Sequence, residues 1–366
     1  MKIKILIIGG TGTLGNKLIN FCYKNKIEIS AITGFQNKKK LNQLKKKYKI
    51  NKTFLLGDNK ENLNFINFIK KNKFNIIYFL DYGSNSLNYA KYILKNNKNS
   101  ILAIANKEMI IAGGEFFIKQ IHISKNTIVP LDSEHYSLFR SSLINEEIHK
   151  IYITASGGPF YFNKSINLNN VTFNQVISHP KWKMGINNSI DSSNFINKLL
   201  EIYELSTIYN IDVKKINFLI SREAYVHSLI IYNDRTTSLN CFENDMIATL
   251  VNPLFRFYKL NFKNNSRKYL FENNFKLEVF NDRRFKINKN FNFLKSISHN
   301  QRINLILLNN IAHKLYLQNK LNYNDIYDFI ISNLLKDSKV VLLDSFMKIL
   351  NYIDIKNNEY NDKAFN

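Results

Sequence analysis

The stretch Ile3-Lys4-Ile5-Leu6-Ile7-Ile8-Gly9-Gly10-Thr11-Gly12-Thr13-Leu14-Gly15 decides how this chain is read. Ile3 to Ile8 is an apolar run of strand length. A glycine-rich turn follows at once, and Asn16–Tyr23 then continues with helical character. Strand, glycine turn and helix in that order let the backbone approach a pyrophosphate, which rests on the helix N-terminus. The clustering is informative because glycine is scarce, at 12 in 366 residues, against an average usage of about 7%. Gly113 with Gly114 and Gly157 with Gly158 are also paired, Gly185 is the last glycine, and Pro130, Pro159 and Pro180 lie in or beside the other polar motifs. A residue kept where composition opposes it answers a backbone need.

Outward from this motif, strand-like runs at Glu28–Ile32, Ile76–Leu80, Ser100–Ala105 and Thr127–Pro130 alternate with helical stretches such as Lys38–Lys47 and Ser86–Lys95. Such alternation predicts an α/β protein with an N-terminal Rossmann-like, doubly wound parallel sheet. Further on come β-like runs at Ile148–Thr154 and Ala224–Tyr232, and helical spacing from about 299 to 354. The expected organisation is an NADPH-binding domain over 1–131 and a central α+β domain over 132–255 for catalysis, metal binding and dimerisation, with a mobile lid near 180–190. A connector over 256–285 and a small C-terminal helical domain over 286–366 complete it.

No run of 18 apolar residues occurs, so no membrane span is expected. The first strand starts too early for a signal peptide, which points to a cytoplasmic, bacterial-type protein. Two distant cysteines, Cys22 and Cys241, argue against a disulfide framework or a zinc site. The net charge of +24 suggests nucleic acid at first sight. However, the lysines are spread among Asn, Ile, Phe and Tyr, all with AT-rich codons, so a biased genome accounts for the excess and no nucleic-acid partner is expected.

At the end of the second strand, Thr33-Gly34-Phe35-Gln36-Asn37-Lys38 has no acidic residue to hold a ribose 2′-hydroxyl. Gly34, Gln36, Asn37 and the lysines suit a 2′-phosphate instead, so NADPH is favoured over NAD. Ala105-Asn106-Lys107-Glu108 also lies at a strand end, where doubly wound sheets gather ligands. Pro130-Leu131-Asp132-Ser133-Glu134-His135 places two carboxylates two residues apart. On an extended segment they point to one side, and a hard divalent cation is a natural reason for such a pair. Ser156-Gly157-Gly158-Pro159-Phe160 joins a hydroxyl to exposed backbone amides, which suits an anion. His179-Pro180-Lys181-Trp182-Lys183-Met184-Gly185 contains the only Trp and reads as a lid, with Trp182 and Met184 closing over substrate. Asn197, Lys198 and Glu201 share a helix face, where Lys and Asn can hold a phosphate and Glu201 can supply a third metal oxygen. Of the histidines, His122, His149, His299 and His313 have no identifiable partner in the sequence.

In this order and at these separations, the motifs Gly-Gly-Thr-Gly-Thr-Leu-Gly, Ala-Asn-Lys-Glu, Pro-Leu-Asp-Ser-Glu-His, Ser-Gly-Gly-Pro-Phe, His-Pro-Lys-Trp-Lys-Met-Gly and Asp-Ser-(x)4-Asn-Lys-(x)2-Glu resemble the 1-deoxy-D-xylulose 5-phosphate reductoisomerase family. The resemblance is strong over residues 1 to about 255, with a weaker echo at Phe280–Phe285. It implies a homodimer converting 1-deoxy-D-xylulose 5-phosphate to 2-C-methyl-D-erythritol 4-phosphate for isoprenoid precursors. NADPH and a divalent metal are the implied cofactors, the metal being Mg2+ or Mn2+, with Co2+ as an alternative. The implied chemistry is a retro-aldol cleavage and re-addition, followed by hydride transfer. Metal ligands match Asp132, Glu134 and Glu201. Substrate contacts match Lys107, Ser133, Glu134, Ser156, His179, Ser192, Asn197 and Lys198. NADPH contacts match Thr11, Gly12, Thr13, Leu14, Asn106, Glu108 and Gly185. This chain departs from the family at Asn187, Leu199 and Ser221-Arg222, and in the segment Asp81–Ser86. Two other readings compete. A different NADP-dependent dehydrogenase would work without metal. A basic nucleic-acid-binding protein on an inactive enzyme fold would bind DNA or RNA in a salt-sensitive way without NADPH.

Overall fold

The computed structural model describes residues 3–141, 147–178, 184–260, 275–337 and 340–365. Strands and helices alternate at first: β1 (Ile5–Ile8), α1 (Thr13–Lys24), β2 (Ala31–Gly34), α2 (Lys38–Lys47), β3 (Lys52–Leu55), α3 (Asn59–Lys71), β4 (Ile76–Phe79), α4 (Leu87–Asn96), β5 (Ile101–Ile104), α5 (Lys107–Ile123), β6 (Thr127–Pro130) and α6 (Ser133–Arg140). The six strands form one parallel sheet in the order β3-β2-β1-β4-β5-β6. β1, β2, β4 and β5 are buried along their whole length. Parallel strands covered on both faces read as continuous apolar runs, and Ile-Leu-Ile-Ile and Ile-Ile-Tyr-Phe are such runs. The order reverses between β1 and β4, so the loops after β1, β4, β5 and β6 gather at the carboxyl edge where ligands bind such sheets.

The chain continues through β7 (Ile148–Ala155), α7 (Phe173–Ile177), α8 (Ile186–Asn194), α9 (Ile196–Tyr209), β8 (Ile216–Ile220), β9 (Val226–Tyr232), β10 (Thr237–Cys241) and α10 (Ile247–Val251). It ends with β11 (Glu278–Val279) and four helices, α11 (Ile287–Lys295), α12 (His299–Leu317), α13 (Asp325–Leu334) and α14 (Phe346–Phe365). The second sheet has the order β10-β9-β7-β8-β11. β7 and β8 pair in parallel, and the other pairs are antiparallel. Among the described residues no helix is long and apolar enough to cross a membrane.

By packing, the chain divides into two compact units. One comprises Met1–Arg140 and Asp245–Arg267, the other Ser141–Asn244 and Lys268–Asn366. This division is coarser than the four segments read from the sequence. It keeps α6 with the parallel sheet and returns α10 to it, where Leu250, Val251 and Leu254 join the core of Ile5, Ile7, Leu18 and Ile76. The hydroxyl of Tyr78 on β4 donates to the Leu250 carbonyl at 2.9 Å, which satisfies a polar group inside that core.

Candidate active site

Each unit carries a cluster of the candidate site residues. In the first, the glycine turn after β1 is built by backbone bonds. Gly10 N–H donates to Thr33 O at 2.8 Å, Gly9 N–H to Thr33 Oγ1 at 3.1 Å, and Gly12 N–H to Gly9 O at 3.1 Å. Gly9 has φ +86°, and a Cβ there would lie 2.5 Å from Asp81 N, so only glycine fits. Gly12 begins α1 without a side-chain cap, which leaves first-turn amides for an anion. Thr11 is half-buried, while Gly12 and Thr13 are exposed and Leu14 packs onto the core. At the end of β2, Gly34 lies against Thr11, whose Cγ2 would meet an added Cβ at 2.8 Å. Gln36 and Asn37 are exposed. Asn37 Oδ1 accepts from Lys40 N–H at 2.9 Å, so this side chain caps α2 and its structural role is met within the loop.

At the end of β5, Asn106 Oδ1 caps α5 by accepting from Met109 N–H at 2.9 Å. Its Nδ2 donates to Gly83 O at 2.9 Å and to Asp81 Oδ1 at 3.3 Å. Burial pushes the Asp81 carboxyl up, against the hydrogen bonds from Ser86 and Asn106 that hold it down. Glu108 is buried in the first turn of α5. Beside it Lys107 is buried too, and its Nζ pairs with Asp132 Oδ2 at 2.9 Å.

Asp132 and Glu134 require a correction. The expected extended segment is not there: a helix, α6, begins at Ser133, and Glu134 sits in its first turn. The short β6 ends at Pro130 and Ser133 opens a new helix, so strand alternation ends before this pair. The carboxylates converge all the same, with one oxygen of each within 4.8 Å of the other. His135 Nδ1 lies 3.5 Å from Asp132 Oδ1, Ser133 Oγ bonds Glu134 Oε2, and Ser137 Oγ donates to Glu134 O at 2.6 Å. Glu134 is 8% exposed.

In the second unit, Ser156 follows β7, and Gly157 and Gly158 both have positive φ. At Gly158 (φ +59°) a Cβ would lie 3.0 Å from Ser192 O, so the Ser-Gly-Gly turn and α8 are packed in contact. α8 begins after Gly185, where an added Cβ would meet no described residue within 4 Å. Met184, just before it, is half-buried. His179 and Trp182 lie outside the described residues. Asn197, Lys198 and Glu201 share one face of α9, as their spacing requires. Asn197 Nδ2 donates to Glu201 Oε1, and Lys198 Nζ pairs with Glu201 Oε2. Glu201 is 2% exposed and Lys198 7%, so the site buries a carboxylate together with its counter-charge.

Two further sets of residues have no local sequence signal. Asp191, next to Ser192, is bonded by Asn309 and His313, 118 and 122 residues away. Arg284 binds the carbonyls of Phe160, Tyr161, Asn163 and Ile166 along with Asp282, and so clamps the segment after the Ser-Gly-Gly turn. The i, i+4 spacing of Asn309 and His313 shows that they share a helix face, but gives no indication of the partner.

A doubly wound sheet with a glycine turn at its switch point, followed by buried carboxylates at the next strand ends, defines a dinucleotide-dependent oxidoreductase. A model of the NAD dependent epimerase/dehydratase family matches residues 5–106. A model of the 1-deoxy-D-xylulose 5-phosphate reductoisomerase C-terminal domain matches residues 128–209. The chain is 31% identical to the 1-deoxy-D-xylulose 5-phosphate reductoisomerase of Pelagibacter ubique, over 96% of this chain and 98% of that one. It is 39% identical to the enzyme of Clostridium tetani over 42% of this chain and 38% of the relative. The chain belongs to the 1-deoxy-D-xylulose 5-phosphate reductoisomerase family. Solved structures share the fold at lower identity. A DOX-P reductoisomerase bound to NADPH, fosmidomycin and magnesium has a TM-score of 0.87 at 22% identity, covering 99% of this chain and 98% of that one. The Zymomonas mobilis reductoisomerase bound to NADPH has a TM-score of 0.83 at 20% identity, covering the whole of both chains.

Proposed function

We propose that the protein converts 1-deoxy-D-xylulose 5-phosphate to 2-C-methyl-D-erythritol 4-phosphate, using NADPH and a divalent metal. The observation that carries this reading is membership of the family over 96% of the chain together with a set of buried site residues, Lys107, Glu134, Lys198 and Glu201. The donor chemistry fits a hard cation, because Asp132, Glu134 and Glu201 offer carboxylate oxygens and no sulfur. We assign these three as its ligands. When bound, the metal supplies Lewis-acid polarisation of the substrate's oxygens. NADPH supplies the hydride, and Thr11, Gly12, Thr13, Leu14, Gly34, Gln36, Asn37, Asn106, Glu108 and Gly185 are assigned to hold it.

The chain's own residues bind and orient. Lys198, Asn197, Ser192 and Ser156 are assigned to the phosphate end, where a lysine, an amide and two hydroxyls match a dianion. Lys107, Ser133 and His179 are assigned to the sugar's hydroxyl and keto groups. The lysines beside Asp132 and Glu201 offset carboxylate charge that burial would otherwise penalise. Trp182 and Met184 are assigned to a lid that excludes water while the carbon skeleton is rearranged. The family likeness also supports a homodimer, a cytoplasmic location, and the division of labour between the 1–131, 132–255 and 286–366 segments.

The test is NADPH oxidation with 1-deoxy-D-xylulose 5-phosphate, with and without added Mg2+ or Mn2+. Turnover is expected only with metal, with 2-C-methyl-D-erythritol 4-phosphate as the product. Metal-independent oxidation would favour a different dehydrogenase.

A further inference from the structure

We infer that Asn309 and His313 on α12 are positioning residues, which set Ser192 for the substrate's phosphate group by holding Asp191; the inference rests on the reaction proposed above. Asp191 lies in α8 and is 1% exposed; Asn309 is 2% and His313 1% exposed. Asn309 Nδ2 donates to Asp191 Oδ1 at 2.9 Å, and His313 Nε2 reaches the same oxygen at 2.9 Å. An ionised carboxylate oxygen only accepts, so Nε2 is the donor in this contact. Nδ1 of the same ring is buried without a hydrogen-bond partner among the described residues. The ring's one polar contact there is spent on Asp191.

Both donors come from one rigid helix, four residues apart on a single face. They therefore fix α8 in both rotation and axial register. An apolar trio of similar volume would hold the two helices together without burying polar groups, but would not define that register. Register matters because Ser192 is the next residue, and its carbonyl lies against Gly158 of the Ser156-Gly157-Gly158 turn. A slip of α8 would move the Ser192 hydroxyl and this turn together. The expected consequence is weaker binding of the phosphate end, with the nucleotide turn of the other unit unaffected.

The experiment compares His313→Leu, His313→Gln and Asn309→Ala with the wild type, well below each variant's melting midpoint. A glutamine amide can take the place of Nε2–H, whereas leucine cannot. His313→Leu and Asn309→Ala should raise KM for 1-deoxy-D-xylulose 5-phosphate by about tenfold, the effect of losing one buried hydrogen bond. The values of kcat and of Kd for NADPH should stay within about twofold, and His313→Gln should restore most of the KM. Should His313→Leu fail to fold, Asn309→Ala and His313→Gln carry the comparison. Variants that lower the melting temperature but leave KM unchanged would overturn the inference, as would a glutamine variant as impaired as leucine. A wild type that turns over normally beside such variants leaves the proposed reaction standing; a wild type without turnover removes the reaction itself.

Discussion

Replacing Glu134 by Gln is expected to lower kcat by about a thousandfold or more while leaving the Kd for NADPH within about twofold. The substitution keeps the shape of a side chain that is 8% exposed and removes one anionic oxygen. A hard divalent cation depends on such oxygens, and Asp132 would be left to pair with Lys107, 2.9 Å away. The glycine turn after β1, with its amides and the Gly9 conformation, involves no atom of Glu134. Steady-state turnover and NADPH fluorescence titration read the two effects separately. Normal turnover in this variant would remove Glu134 from the catalytic set.

The second large effect is on stability. Arg284 joins four backbone carbonyls between Phe160 and Ile166 to the carboxylate of Asp282, which is 7% exposed. Arg284→Met strands those acceptors and leaves Asp282 with Lys164 as its remaining cation, at 2.7 Å. Arg284 is partly exposed and Asp282 keeps Lys164, so the loss of these charge-assisted hydrogen bonds costs about 2–3 kcal/mol. That corresponds to a fall in melting temperature of roughly 5–10 °C. Because the clamped segment directly follows the Ser-Gly-Gly turn, substrate KM should rise as well. The same network has a pH signature. Burial pushes the Asp282 carboxyl up, but hydrogen bonds from Arg284 and Lys164 outweigh it and bring the group from 3.8 to about 2. A lowered carboxylate contributes its stability fully above the ordinary value and loses it as pH falls through the lowered one. The part of the wild-type advantage over Asp282→Asn that comes from ionisation should therefore be constant at neutral pH in urea denaturation, shrink progressively below about 5, and be lost only near about 1, below both values.

The first sheet was largely legible because buried parallel strands are continuous apolar runs, and β1, β4, β5 and β6 fall inside the expected segments. β3 was not legible. Lys52-Thr53-Phe54-Leu55 is a partly exposed edge strand with too little apolar pattern to stand out. β2 lies two to three residues later than expected, at Ala31–Gly34. β8 and β10 were missed because both are only five residues long, against eight for β7, and β10 has no buried residue to mark it. In the site, helical spacing alone brought Asn197, Lys198 and Glu201 onto one face, since that geometry is local. The helix at Ser133 was missed because an isolated Asp-Ser-Glu reads equally well as extended chain or as a helix start. Asp191 with Asn309 and His313, and Arg284 with the Phe160–Ile166 carbonyls, depend on contacts across more than a hundred residues, which no local pattern encodes.

The central claim is that Asp132, Glu134 and Glu201 hold one divalent ion. Titration of the wild type with Mn2+, followed by electron paramagnetic resonance, should give one tight site per chain, and Asp132→Asn, Glu134→Gln and Glu201→Gln should each weaken it by roughly a hundredfold. Undiminished Mn2+ affinity in Glu201→Gln, with loss in the other two, would contradict the claim.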